Sequence, residues 1–320
     1  KQILNSVESW RVKKAIEHSK TTIQHIASGF AQLAKIDDTY LSILLEDFSA
    51  KSLYEKLKEI KFLDEYGLML INISKASKLF SSKIIDLIEK EHYFKTRFNS
   101  SAIKGREIAS ILPALYKIGD RVYGKRLIQD TNYDILEGRV ISSPPDMSTF
   151  IIRSVKLYDS TIANRLLSVF LKQNIIEKID NKNFELSNVS NLLANLKICN
   201  PDICYEFFNK IDNIIIVKKS LKGIISFHDI ATFLTNVKDC NPEKTEDLYT
   251  NIYAHDVFHR KLREETLEQF VKSLNSLSYI RQDYTIKLVN SYVNQKGITK
   301  EKILQKIKTD CKNLWKEMES

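Results

Sequence analysis

The sequence is poor in the two residues that most often interrupt helices. Its 320 residues include only 8 Gly and 5 Pro, whereas average usage is about 7% Gly and about 5% Pro. So few glycines leave little material for tight β-turns or for the glycine-rich loops that hold phosphates. We therefore expect long helices joined by short polar turns.

Cysteine is also scarce, and only Cys199, Cys204, Cys240 and Cys311 are present. Four clustered cysteines are too few for the disulfide framework of a secreted protein of this length. Cys199 and Cys204 bracket an Asn-Pro pair, which suggests a metal or redox centre, but a structural zinc ion needs four converging ligands. We expect reduced thiols that serve as small core residues, with no metal and no other cofactor.

Long apolar runs are missing as well. No stretch approaches the roughly 18 to 20 apolar residues that a membrane span requires, and the first residues do not resemble a signal peptide. Apolar residues make up 43% of the chain and charged residues 28%, a balance that can build a core. We expect a soluble, cytoplasmic protein without membrane contact, whose net charge of +9 permits an acidic partner without requiring one.

What the sequence does contain is a repeat. Seven residues stand directly before a polar turn, and we call them turn anchors: Ile36, Ala76, Ile118, Leu157, Ile198, Asp239 and Tyr279. The intervals between them are 40, 42, 39, 41, 41 and 40 residues. This period is that of HEAT and armadillo units and exceeds the period of about 34 in tetratricopeptide repeats.

The positions around the turn anchors predict two helices in each repeat. Nine residues after the anchor every repeat has an apolar residue: Leu45, Ile85, Leu127, Leu166, Phe207, Leu248 and Leu288. Two residues after the anchor stand Asp38, Lys78, Asp120, Asp159, Asn200, Asn241 and Arg281. Asp and Asn side chains accept hydrogen bonds from the free N–H groups at a helix start, and proline follows twice, as Pro201 and Pro242, where a first helical residue is expected.

The repeat therefore reads as a first helix, a turn, a second helix and a shorter third segment such as "SLYEKLKE" or "IIEKID". The sequence predicts an all-α fold, a right-handed α-solenoid of about seven repeats of about 40 residues. Residues 1–18 would be the end of a preceding repeat or an N-terminal cap, residues 19–296 the array, and residues 297–320 a C-terminal capping helix. Because the chain opens on Lys1, we expect it to be a piece of a longer protein.

A row of basic residues is the main candidate for a binding site. Seven or eight residues after the turn anchors stand five cations, Lys83, Lys125, Arg126, Arg165 and Lys287. We call the first four, which fall in repeats two to four, the basic stripe. If second helices line a concave surface, the stripe would face an acidic protein segment or a nucleic-acid backbone. The alternative is a solvated helix face. Glu206 and Asp247 hold the equivalent positions in repeats five and six, so the stripe ends before them.

Signs of catalysis are lacking. No nucleophile elbow or kinase signature is present, and no carboxylate pair stands out as an acid and base. His255 and His259 lie four residues apart, as two metal ligands on a helix would, but the position after His255 is Asp256 and not the glutamate of a metalloprotease. We expect a surface histidine pair and a non-catalytic protein.

The stretch "LAKIDDTYLSILLEDFSAKSLYEKLKE" resembles the helical repeats appended to prokaryotic STAND NTPases, which are relatives of NOD-like receptors. The shared pattern is an apolar-polar-Asp turn, then paired leucines, then a short leucine-containing helix. In that family the repeat region is a sensor that recognises a foreign protein. The resemblance implies a protein-recognition region of a larger protein, with a protein ligand in a concave groove, while the basic stripe leaves nucleic-acid binding as the alternative.

Overall fold

The computed structural model describes residues 14, 18, 23–36, 39, 50–58, 63–310 and 315. Those residues form twenty helices and no strand, so the prediction of an all-α fold is confirmed. None of these helices is long and apolar enough to cross a membrane. Asp38, Leu45, Cys311 and most of residues 1–18 lie outside the described part of the chain, as do nine residues after position 310.

The chain divides into two compact units, Lys1–Gln173 and Asn174–Ser320. In the first unit the helices are α1 (Ile23–Ile36), α2 (Ala50–Lys58), α3 (Leu63–Ala76), α4 (Lys78–Lys90), α5 (Tyr93–Phe98), α6 (Gly105–Ile118), α7 (Arg121–Asp130), α8 (Tyr133–Ser142), α9 (Pro145–Lys156) and α10 (Ser160–Leu171). In the second unit they are α11 (Ile175–Asp180), α12 (Leu186–Cys199), α13 (Pro201–Lys210), α14 (Asn213–Ser220), α15 (Phe227–Lys238), α16 (Pro242–Ala254), α17 (Val257–Leu262), α18 (Leu267–Ser278), α19 (Gln282–Lys296) and α20 (Lys300–Asp310).

Within each unit the same packing recurs. Successive first helices pack on one another: α1 on α3, α3 on α6 and α6 on α9 in the first unit, and α12 on α15 and α15 on α18 in the second. The third helix of one repeat packs on the second helix of the next, as α2 does on α4, α5 on α7, α8 on α10, α14 on α16 and α17 on α19. A repeat therefore buries its apolar side chains against its neighbours.

The second helices begin where the sequence predicts. The side chains of Asp120, Asp159, Asn200 and Asn241 each accept a hydrogen bond from a backbone N–H in the first turn of the helix that follows. Pro201 and Pro242 are the first residues of α13 and α16. The "Cys-Asn-Pro" sequence is therefore a helix start, since Cys199 or Cys240 precedes the capping asparagine in each case.

The second repeat departs from this pattern by one residue. Ser77 is the cap there, and its hydroxyl accepts from the N–H of Phe80 at 3.2 Å, so Lys78 is the first helical residue of α4. Arg281 stands at the cap position of α19, but its guanidinium binds Asp283, with Nη2 and Oδ2 3.0 Å apart. A serine hydroxyl can cap a helix as an asparagine does, whereas a guanidinium has no acceptor.

The apolar columns form the core. Ile85, Leu127, Leu166, Phe207, Leu248 and Leu288, the described members of the column nine residues after the anchors, are all buried. Burying one such side chain contributes about 1.5 to 3 kcal/mol, so the column stabilises every described repeat. Each of the seven turn anchors lies within one residue of the C-terminal end of a first helix.

The third helices carry a column of basic residues that the sequence reading did not single out. We call them the third-helix cations: Lys56, Arg97, Arg139, Lys178, Lys219 and Lys261, at intervals of 41, 42, 39, 41 and 42 residues. Lys56 Nζ donates to the carbonyl oxygen of His18 at 3.0 Å and Lys261 Nζ to that of Lys222 at 2.6 Å, and Arg139 donates to that of Ser101.

Lys219 makes the most buried of these contacts. Only 3% of its surface is exposed, and its Nζ donates to the carbonyl oxygens of Asn181, at 3.1 Å, and Phe184. Burial lowers the pKa of this ammonium group, and the neighbouring charge of Lys222 lowers it further. Four of the six third-helix cations, Lys56, Arg139, Lys219 and Lys261, thus donate to backbone carbonyl groups that precede them by about one repeat, and Arg97 instead pairs with the carboxylate of Glu107. These contacts explain part of the positive charge without any ligand.

Candidate functional site

The basic stripe lies on three second helices of the first unit. Lys83 is on α4, Lys125 and Arg126 are on α7, and Arg165 is on α10, and all four side chains are exposed. The short helix α5 packs on both α4 and α7. The stripe is therefore spread over successive second helices, and a third helix contacts the two that carry Lys83 and Lys125.

The four cations differ in their surroundings. Arg126 Nη2 lies 2.5 Å from Glu89 Oε1, so its charge is paired with a carboxylate of the preceding repeat. The Arg165 guanidinium stacks over the Tyr133 ring, 3.9 Å from its centroid. Among the described residues, neither Lys83 nor Lys125 has a hydrogen-bond or ion-pair partner. Two ammonium groups and one stacked guanidinium thus remain available to an anionic ligand.

A second candidate lies in the second unit, on first helices. An open groove of about 330 Å³ runs between α12 and α15, at the lower end of the roughly 300 to 1,000 Å³ typical of small-ligand sites. The side chains that line the groove project from one face of α12 and from one face of α15, and within each helix they recur at helical spacing. The polar lining residues are Glu185, Ser187, Ser190, Asn191, Asp229, Thr232 and Asn236.

Hydrogen bonds fix part of this lining. Asn236 Nδ2 donates to Ser190 Oγ at 3.0 Å and so joins α15 to α12. Asp229 Oδ2 accepts from the N–H and hydroxyl of Ser226, at 2.9 and 2.7 Å, which holds that carboxylate at the start of α15. Asn191 and Thr232 are exposed and have no hydrogen-bond partner among the described residues, so their polar atoms can bind a ligand.

The apolar part of the groove is also defined. Leu186, Ile225 and Phe233 line it and are buried, with 1%, 7% and 2% of their surface exposed, whereas Ile224 is 73% exposed. Sequence reasoning missed this site, because serine, asparagine and threonine on the outer face of a helix are usual for a solvated surface. The available signal was the row Ser187, Ser190 and Asn191 at helical spacing within a leucine-rich helix.

The cysteines and histidines do not form a metal site in the described part of the chain. Cys199, Cys204 and Cys240 are buried, and no group of three or more His, Cys, Asp or Glu side chains there could hold a metal ion. His255 follows the end of α16 and His259 lies in α17. Asp256 between them has a left-handed backbone with φ of 59°, so a turn separates the two histidines and they do not share one helix face.

Comparison with known proteins finds no relative of this chain. No protein-family model matches the chain, and neither a curated protein nor a solved structure matches it. The relationship to the STAND NTPase repeats therefore stays a prediction, and the packing and side-chain chemistry of the two units are the basis for proposing a function.

Proposed function

We propose that the chain is a non-catalytic binding scaffold and that the groove between α12 and α15 holds a segment of another protein. The observation that carries this proposal is the pairing of hydrogen-bonding side chains on both helices with buried apolar residues between them. Every residue of an extended peptide except proline offers one N–H and one C=O. The amides of Asn191 and Asn236 can both donate and accept, so they suit a peptide backbone, while Phe233 and Ile225 suit an apolar side chain.

We propose further that the repeats build a right-handed α-solenoid of about seven units over residues 19–296, closed by a capping helix in residues 297–320. The recurrent packing of first helices, and of third on second helices, supports this architecture. In this proposal the chain is the cytoplasmic protein-recognition part of a larger protein, similar to the sensor repeats of STAND NTPases. Arrays of this kind bind along an extended surface made by equivalent positions.

The first test selects twelve-residue peptides from a random display library against the purified 320-residue chain. We expect the Asn191→Arg and Thr232→Arg variants to bind the enriched peptides at least about tenfold more weakly, because a long cation placed in the groove excludes the peptide backbone. Dissociation constants measured by fluorescence anisotropy give the comparison.

Ser168→Arg is the matched control for these variants. Ser168 is exposed on α10 in the first unit, so this substitution adds the same charge away from the groove and should leave the affinity unchanged. Equal affinities for all three variants and the unmodified chain would rule out the groove as the peptide site.

Nucleic-acid binding by the basic stripe is the second candidate function. Its supporting observation is that Lys83 and Lys125 are exposed without partners among the described residues, while Arg165 presents a guanidinium stacked on Tyr133. Cations of this kind bind phosphates, and a stacked guanidinium can pack on a base.

Charge reversal tests this second candidate. If a single-stranded oligonucleotide binds through the stripe, Lys83→Glu together with Lys125→Glu should weaken binding at low salt by more than about tenfold, and should lower the salt slope of log K by about 1.4 for two lost phosphate contacts. Lys300→Glu together with Lys302→Glu is the control, since both lysines are exposed on α20 in the second unit, away from the stripe positions, and the charge change is the same. Unchanged oligonucleotide affinity in the double variant would reduce the stripe to a solvated face.

A further inference from the structure

Two thiols from consecutive repeats converge on one carbonyl oxygen in the second unit. Cys204 lies on α13 and is fully buried, and Cys240 lies in the turn between α15 and α16 with 7% of its surface exposed. Their sulfur atoms lie 3.3 and 3.9 Å from the carbonyl oxygen of Leu193. Because both contacts are to a single atom, the two thiols occupy the same small region of the interface between repeats.

We propose that Cys204 and Cys240 are an oxidation site, at which a hydroperoxide converts the thiol pair into a reversible disulfide that ties the two repeats together. The disulfide would join α13 to the turn that follows α15. This inference rests on the positions of the two thiols and is independent of the proposed binding function.

The surroundings assign different roles to the two sulfurs. A hydrogen bond from Cys204 lowers the pKa of the Cys240 thiol, and the positive charge of Lys197 lowers it further against the effect of burial. The hydrogen bond to Cys240 and burial raise the pKa of the Cys204 thiol. Since the thiolate is the nucleophile and Cys240 is also the more exposed of the two residues, Cys240 is the one that reacts with peroxide.

The chemistry balances in two steps. The Cys240 thiolate attacks one peroxide oxygen, the O–O bond breaks, and the product is a sulfenic acid while hydroxide leaves and takes up a proton as water. The Cys204 sulfur then attacks the Cys240 sulfur, the S–O bond breaks, and the S–S bond forms as a second water leaves. Two thiols and one hydrogen peroxide thus give one disulfide and two waters, so the sulfur pair supplies the two electrons that the peroxide accepts.

Cys199 provides a matched control within the same chain. It stands in the other "Cys-Asn-Pro" turn, one repeat earlier than Cys240, and it is also buried, with 4% of its surface exposed. The position one repeat before Cys204 is occupied by Ala163. Cys199 is therefore a buried thiol in the same sequence motif as Cys240, with alanine at the position equivalent to Cys204.

The experiment treats the reduced 320-residue chain with hydrogen peroxide, alkylates the remaining thiols and maps peptides without reduction. We expect a cross-linked pair of peptides containing Cys204 and Cys240, lighter by two hydrogens and separated by dithiothreitol, while Cys199 remains alkylated. Closing the loop between residues 204 and 240 should raise the Tm by roughly 5 to 10 °C. In the Cys204→Ser variant a sulfenic-acid probe should label Cys240, and Cys199→Ser should leave the cross-link unchanged.

The unmodified chain decides the outcome even if a serine variant fails to fold. Peroxide treatment that leaves Cys204 and Cys240 alkylatable while Cys199 is oxidised would overturn the proposal. A cross-link that joins Cys199 to either of the other two would overturn it as well.

Discussion

Gly124→Ala should destabilise the chain by about 2 kcal/mol, whereas Gly138→Ala should stabilise it by up to about 1 kcal/mol. Gly124 is buried in α7, and a Cβ added there would overlap the ring carbons of Tyr158 and lie 2.7 Å from its hydroxyl oxygen. In α8 a Cβ on exposed Gly138 would meet no atom within 4 Å. The opposite signs follow because both alanines gain helix propensity, but only one of them overpacks an interface.

The Tyr158 ring cannot easily withdraw from Gly124. Its hydroxyl donates to the carbonyl oxygen of Leu112 at 2.7 Å, and its ring makes an edge contact with Tyr116 at 6.0 Å between centroids. Because these two contacts hold the Tyr158 side chain in place, an added Cβ at Gly124 would force the backbone of α7 to shift. Such a shift costs stability in a close-packed interior.

Urea unfolding followed by circular dichroism measures both variants. In a double-mutant cycle, the cost of Gly124→Ala should fall sharply when Tyr158→Ala is already present, because the overlapping ring is then gone. A Gly124→Ala protein as stable as the Gly138→Ala protein would mean that α7 and Tyr158 are not packed in this way.

Lys219→Met should lower the free energy of unfolding by about 2 to 3 kcal/mol, while Lys218→Met should change it by less than about 0.5 kcal/mol. Methionine fills much of the same volume but removes the donor shared by the Asn181 and Phe184 carbonyl oxygens. Lys218 is the adjacent, exposed residue of α14. The same substitution thus removes a structural ammonium group in one case and a solvated one in the other.

The pH dependence of this difference has a definite sign. Burial holds the folded-state pKa of Lys219 below the ordinary lysine value of 10.5, so between these two pKa values the unfolded chain binds more protons than the folded chain. Unfolding then becomes less favourable as pH rises through that window. The stability deficit of Lys219→Met relative to the unmodified chain should therefore grow with pH, and a deficit that shrinks would contradict a buried ammonium group.

The repeat boundaries could be predicted because local backbone chemistry determines them. The capping asparagines and the prolines after them leave few alternatives at Asn200 and Asn241, and the segment "IIEKID" coincides with α11. The cap at Ser77 was missed because the second repeat changes register by one residue there. Lys78 stands in the column where most other repeats have Asp or Asn, and an ammonium group cannot accept the hydrogen bond of a cap.

The third-helix cations and the groove could not be predicted with the same ease. Lys218 and Lys219 are adjacent residues of the same type, and it is tertiary packing that buries Lys219 and leaves Lys218 exposed. Basic residues nevertheless recur at the repeat period from Lys56 to Lys261, and this recurrence was the available signal in the sequence. The groove depends on how α12 packs against α15. The hydrogen bond from Asn236 to Ser190 joins residues that are 46 positions apart in the sequence, so it forms only when these two helices pack together.

Hydrogen–deuterium exchange of the chain with a selected peptide bound shows which helices hold the peptide. We expect slower exchange of backbone amides along α12 and α15, residues 186–199 and 227–238, with the other described helices unchanged. Protection confined to α4, α7 and α10 would instead place the ligand on the basic stripe and would contradict a protein-binding groove formed by first helices.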